Sequence, residues 1–282
     1  MKNKKQLDYL NNQVALSNGK EYFNMNIDPT QFKEISDFIP QSSKELLLNP
    51  SFNAICQGLG GIFYLIFQKP IKLGIIKKAE FAALTKETAA KLQNIPEGNR
   101  DSTHFGLTLK PIEESKYQLN EKMLRQMFAN LIASTVDNRK NSKITPRYAT
   151  ALSQLGRADA QFLELLHSQN TYHLPFSLLR LEGKNGSYIN ISPNIARTNQ
   201  KKTLQLDMAT INTLQSLGIV EFKIGTWLAA EFYESDYRYL NNYLLVNYQE
   251  AIAHKRDDQK PSIEKGQVFA TEFGSQLFNY IF

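Results

Sequence analysis

The residues from which a metal or nucleophile site would have to be assembled are few: His104, His167, His173, His254 and the single cysteine, Cys56. None stands at a recognised ligand spacing, since His167 and His173 are six positions apart across an expected helix end. One cysteine excludes both a Cys-x-x-Cys site and an intramolecular disulfide, and in an apolar setting its thiol should be inert. No metal and no cofactor is expected. His104 has Arg100 and Asp101 close by, a grouping that suggests acid–base chemistry, although within a polar connection it reads better as a loop histidine. The acidic pairs Glu113-Glu114 and Asp257-Asp258 read as solvated loop charges. Neither a Gly-x-Ser-x-Gly elbow nor a kinase motif set occurs, and Gly58, Gly60 and Gly61 are not followed by the Gly-Lys-Ser/Thr of a phosphate loop.

Two groupings remain. Arg139, Lys140 and Lys143 lie in one short loop with Arg147 just beyond, a set that could hold the phosphates of nucleic acid or lipid; a solvated hairpin tip is the preferred reading. Trp227, Tyr233, Tyr237 and Tyr243 belong to an aromatic stretch that could stack on bases or grip a protein partner. It could equally form a small core beneath a long insertion, which is the preferred reading.

The elements that position the basic loop carry the clearest periodicity in the chain. Leu119, Met123, Leu124, Met127, Phe128, Leu131, Ile132 and Val136 recur at three- and four-residue steps, predicting one buried stripe of a helix that Asn120 would cap. Thr145-Pro146 marks a second helix start, Gly156 its end, and Ala158, Phe162, Leu165 and Leu166 the inner face of a third helix. Upstream, Ala79 to Leu92 reads as an amphipathic helix with Phe81, Leu84, Thr88 and Leu92 on one face, and Asn99 to Glu114 as an extended connection. Ala54–Phe67 has the length of a buried core helix; Gln68, Lys69, Pro70 and Lys72 cut the apolar run below the roughly 20 residues that span a bilayer. Ser42–Leu48 reads as a short helix, and residues 1–37 as a loosely attached arm.

After His167 the pattern changes. Leu174–Phe176 and Ser187–Ile191 read as short extended pieces, Asp207 caps a helix ended by Gly218, and Ile219–Ile224 and Gln267–Ala270 read as strands. Thr271 caps a last helix. That order is the order of a winged-helix unit with an enlarged wing. Whether residues 237–252 are helix or strand stays open, because their spacing suits both. The expected class is mainly α (α+β): a helical bundle over residues 38–168, then a winged-helix-like domain over 169–282 carrying a small β-hairpin and a wing insertion at 225–264.

Composition limits the function classes. A 42% hydrophobic fraction and 21% charged residues describe an ordinary soluble globular protein, and the start of the chain lacks the apolar run of a secretory signal, so a cytoplasmic location is expected. The net charge of +6 is unevenly spread: residues 51–206 hold 21 basic and 11 acidic groups, residues 207–282 hold 6 and 10. An anionic partner should therefore meet the middle of the chain.

The run Met123–Ala133, Pro146, Leu155 with Asp159-Ala160, Leu92–Glu97, Leu217–Glu221 and Thr271–Gly274 together resemble the abortive-infection alpha family of bacterial proteins, over roughly residues 38–282. Thr145 stands where that family is expected to place a histidine. The resemblance implies a phage-defence component and carries over no catalytic residue. The leading expectation is a protein that acts by binding a protein or anionic partner, nucleic acid included, and not by catalysis. A winged-helix DNA-binding regulator and a membrane-acting effector using Ala54–Ile76 are the rivals.

Overall fold

A computed structural model of the chain describes residues 33–34, 37–41, 53–101, 103–169 and 171–282, with the side chains of 53–57 and Phe105 excepted. The Cys56 thiol, the expected Ser42–Leu48 helix and nearly all of the arm lie outside them. The described residues form two compact units: one ends at Gln154 and also takes in Tyr280–Phe282, the other is Leu155–Asn279.

The first unit is helical: α1 (Asn53–Lys72), α2 (Lys78–Gln93), α3 (Phe105–Ser115), α4 (Lys122–Thr135) and α5 (Pro146–Ser153). Helix α4 lies at its centre, against α2, α3 and α5. Its stripe of Leu124, Met127, Phe128, Leu131 and Ile132 is buried, as the periodicity requires. Helix α2 buries Phe81, Leu84, Thr88 and Leu92, and Phe81 meets Phe63 and Phe67 of α1 with ring centroids 6.1 and 5.1 Å apart. Arg125 of α4 forks onto Glu87 of α2 at 3.0–3.2 Å and donates to the Leu119 carbonyl at 2.7 Å. Among the described residues, no helix is long and apolar enough to cross a membrane.

Three local expectations need correction. The stretch expected to be extended between Asn99 and Glu114 contains helix α3. Its buried positions Thr108, Pro111, Ile112 and Ser115 have helical spacing, but only one is a large apolar residue, so hydrophobicity alone leaves the period invisible. The Thr108 hydroxyl is bonded to that of Thr135 at 2.8 Å, and the Ser115 hydroxyl donates to Ile112 O at 2.7 Å. The boundary residue of α4 is Glu121, without a side-chain cap, in place of Asn120. Gly156 opens a helix instead of closing one: Asp159 reaches back to accept from its backbone N–H at 2.8 Å.

The second unit contains α6 (Arg157–His167), β1 (His173–Gly183), β2 (Tyr188–Asn190), β3 (Ile195–Arg197), β4 (Thr203–Gln205), α7 (Met208–Ser216), β5 (Val220–Ile224), α8 (Glu231–Asn247), α9 (Gln249–Ala253), β6 (Gln259–Ala270) and α10 (Glu272–Ile281), whose last residues count with the first unit. The six strands form one antiparallel sheet in the order β4-β3-β1-β6-β5, with β2 on β1. The hairpin between β5 and β6 exists, from Val220 against Ala270 to Ile224 against Gly266. It is far from small: β6 starts at Gln259 and pairs on its other edge with the whole of β1, from His173–Phe269 to Gly183–Gln259. The insertion 225–264, expected as a wing, is helices α8 and α9 and the first half of β6.

Helix α8 settles the open assignment of 237–252. Tyr233, Tyr237, Leu240 and Leu244 follow a helical period and pack on Leu179 and Ile195 of the sheet. On the opposite sheet face Phe176 stacks on Phe222 with centroids 4.6 Å apart, directly over Gly266, where a Cβ would stand 2.2 Å from the Phe176 ring. Only glycine fits beneath that pair. Asp207 caps α7 by accepting from the Ala209 N–H at 3.0 Å, and Gly218 ends it at φ 73°.

Candidate anion-binding site at the hairpin tip

The basic loop lies between α4 and α5, and two neighbouring constructions hold it. Thr145 accepts the Arg147 N–H at 3.1 Å with Pro146 at the first helical position, so α5 starts abruptly after the loop. On the other side the chain from Gly98 to Asp101 runs antiparallel to residues 136–138 through an Arg100–Asp137 bridge. Asp101 N–H donates to Val136 O and Asn138 N–H to Asn99 O, both at 2.9 Å, and the Asn99 and Asn138 side chains join at 3.0 Å.

Two carboxylates anchor the tip. Asp137, whose side chain is 3% exposed, accepts the Arg139 backbone N–H at 3.0 Å and both arms of its guanidinium at 2.8 and 2.6 Å. The Arg139 hydrogen bond outweighs burial and holds this carboxyl below the usual range. Asp101 accepts the Thr103 N–H and hydroxyl at 2.7 and 2.6 Å, the Asn141 amide at 2.7 Å, and a contact from His104 Nδ1 at 3.0 Å. Burial would raise the Asp101 carboxyl, but the bonds from Thr103, Asn141 and His104 outweigh it and keep it well below the ordinary carboxylate range. The Asn141 bond closes a gap of 40 residues in sequence.

The four basic candidates thus fall into two kinds. Arg139, Lys140 and Lys143 are exposed on the loop fixed around buried Asn141, Arg139 with its guanidinium on Asp137, whereas Arg147 is exposed in the first turn of α5. Three cations on a pinned loop can meet phosphate oxygens without first ordering the chain. The sequence singled out these cations and missed what holds them. Asp101 and His104 at three-residue spacing were visible, but no linear signal connects Asp101 to Asn141.

The aromatic candidates are differently placed. Tyr237 is fully buried; it donates its hydroxyl to Gly266 O at 2.8 Å and accepts the Leu228 N–H at 3.1 Å, and burial pushes the phenol up to about 12. Tyr233 is buried too, its hydroxyl 2.6 Å from that of Thr171. Those two are core residues and present no face to a partner. Tyr243 is half-buried against the same cluster, and Trp227, 52% exposed, lies on the surface with Lys265 Nζ 5.7 Å from its ring.

The model of the family described as abortive infection alpha matches residues 76–281. The chain belongs to the abortive infection alpha family. The abortive-infection match takes in α2 to α5, the whole hairpin tip and the sheet unit, and begins after α1. No curated protein and no solved structure matches the chain.

Proposed function

We propose that this abortive-infection protein is a cytoplasmic phage-defence component that works by holding an anionic partner, nucleic acid in the first place, on the hairpin tip. The observation that carries the reading is the pinned loop: Lys140, Lys143 and Arg147 are exposed, while Asp101–Asn141 and Asp137–Arg139 fix the backbone that presents them. The charge distribution supports it, since the basic excess lies in residues 51–206. Reading duplex DNA through the winged-helix-like order of α7, β5, β6 and α10 has less support, because α7 carries no Lys or Arg to anchor phosphates or contact guanine.

The test is protection of cells. Expression of the wild-type chain should lower the plating efficiency of a susceptible phage, and the triple substitution Lys140→Glu, Lys143→Glu, Arg147→Glu should abolish protection at unchanged protein level. Full protection by the triple variant would refute the role of the tip.

A further inference from the structure

Asp101 and His104 form a carboxylate–imidazole dyad whose free end faces outward at the basic tip. An ionised carboxylate can only accept, so the proton of the 3.0 Å contact belongs to His104 Nδ1. The hydroxyl of Thr103, 2.9 Å from the same nitrogen, gives its hydrogen to Asp101 Oδ1 and offers Nδ1 only a lone pair. Both contacts place a proton on Nδ1, so the neutral ring carries its lone pair on Nε2. That side chain is 51% exposed, and Nε2 has no hydrogen-bond partner among the described residues. The Asp101 carboxylate is itself 17% exposed and is fixed by Thr103 and by Asn141, the residue directly after Lys140. The Asp101–Asn141 bond therefore ties the dyad to the basic loop across 40 residues of sequence.

We infer that the tip cleaves single-stranded RNA, with His104 Nε2 as general base and the 2′-hydroxyl of the substrate as nucleophile. The inference rests on the anion-binding reading of Lys140, Lys143 and Arg147 and adds a reaction to it. RNA is the substrate class because the Thr103 hydroxyl, beside His104 among the described residues, has its hydrogen committed to Asp101, which leaves the substrate to supply the nucleophile. RNA brings its own nucleophile next to the phosphate. In the step, Nε2 takes the 2′-hydroxyl proton and the 2′-oxygen forms a bond to phosphorus. The bond from phosphorus to the 5′-oxygen breaks, and that oxygen takes a proton from solvent. The products are a 2′,3′-cyclic phosphate and a free 5′-hydroxyl, and His104 returns its proton to solvent. The lysines stabilise the negative charge that gathers on the phosphoryl oxygens.

The experiment uses the purified full-length chain and a 5′-fluorescent mixed-sequence single-stranded RNA, beside the same oligonucleotide in 2′-deoxy form. The expected result is cleavage of the RNA to products bearing 2′,3′-cyclic ends, with the deoxy strand bound but intact. His104→Ala should lower the cleavage rate about 100-fold or more, the usual contribution of a general base, with the Kd for the deoxy strand within twofold of wild type. Lys140→Glu with Lys143→Glu should instead raise that Kd. RNA bound but left whole by the folded wild-type protein overturns the cleavage step alone, as does a His104→Ala variant that cleaves at the wild-type rate. RNA neither bound nor cut overturns both the cleavage step and the binding reading beneath it.

Discussion

Replacing Asp101 by alanine removes the staple between the 98–101 segment and the hairpin tip, and the cost follows from what each partner loses. Its bonds from Thr103 are local and can re-form with water, because Thr103 is exposed. The bond from Asn141 is different: Asn141 is 4% exposed, and without the carboxylate its amide loses this partner inside the protein. A charged-group hydrogen bond contributes about 1.5–3 kcal/mol, and a buried orphan donor costs about 1–3 kcal/mol, two descriptions of the same loss. Asp101→Ala should therefore destabilise the protein by about 2–3 kcal/mol, while Thr103→Ala should cost less than about 1 kcal/mol. At about 2–4 °C per kcal/mol for a chain of this class, the melting temperature of the Asp101 variant should fall by roughly 4–12 °C. Scanning calorimetry measures the total. Hydrogen exchange locates it, since amides of residues 98–101 and 136–143 should lose protection first. Unchanged melting together with unchanged protection at the tip would show that Asp101 does not hold the loop, and the pinned-loop argument would fail with it.

Leu131→Asp puts an unpaired carboxylate at a position 1% exposed on the central stripe of α4, at a cost of several kcal/mol, so loss of the cooperative melt is expected and a wild-type melting curve would contradict the assigned core. Tyr237→Phe should cost about 1–3 kcal/mol in denaturant, because the buried Gly266 carbonyl and the half-buried Leu228 N–H lose their shared hydroxyl; a change within the error of the titration would mean that hydroxyl is dispensable. Acid should weaken the protein in a definite window. Asp101 and Asp137 are both held below their unfolded values, so their stabilisation is complete above the unfolded Asp pKa of about 3.9 and is lost as pH falls below it through the folded values. Asp101→Asn should flatten that acid limb, and equal stability of the wild type at pH 3 and pH 7 would contradict the linkage.

The parts of the fold that were legible in sequence are those where apolar spacing and capping chemistry agree. The stripe of α4, the inner face of α2, the Thr145-Pro146 start and the Asp207 cap all combine a local signal with burial of large side chains. Helix α3 escaped because its inner face is built from Thr108, Pro111 and Ser115 as much as from Ile112, so burial there is achieved by hydroxyl bonding. The sheet was underestimated for a different reason. Strand β1 is buried on both faces over most of its length and lacks alternation, and its long partner β6 lies 76 or more residues away in sequence. Of the candidate site, the cations could be read from composition, but the carboxylate that pins their loop could not, because the Asp101–Asn141 bond is purely tertiary.

The most direct measurement is the salt dependence of nucleic-acid binding by the wild-type chain and by the Lys140→Glu, Lys143→Glu, Arg147→Glu variant, using a labelled single strand titrated from about 50 to 200 mM salt. Each phosphate neutralised contributes about 0.7 to the slope of log K against log salt for single strands, so the triple variant should show a slope shallower by about 2 and weaker binding at every salt concentration. Identical slopes and affinities for the two proteins would contradict the claim that the hairpin tip holds the anionic partner.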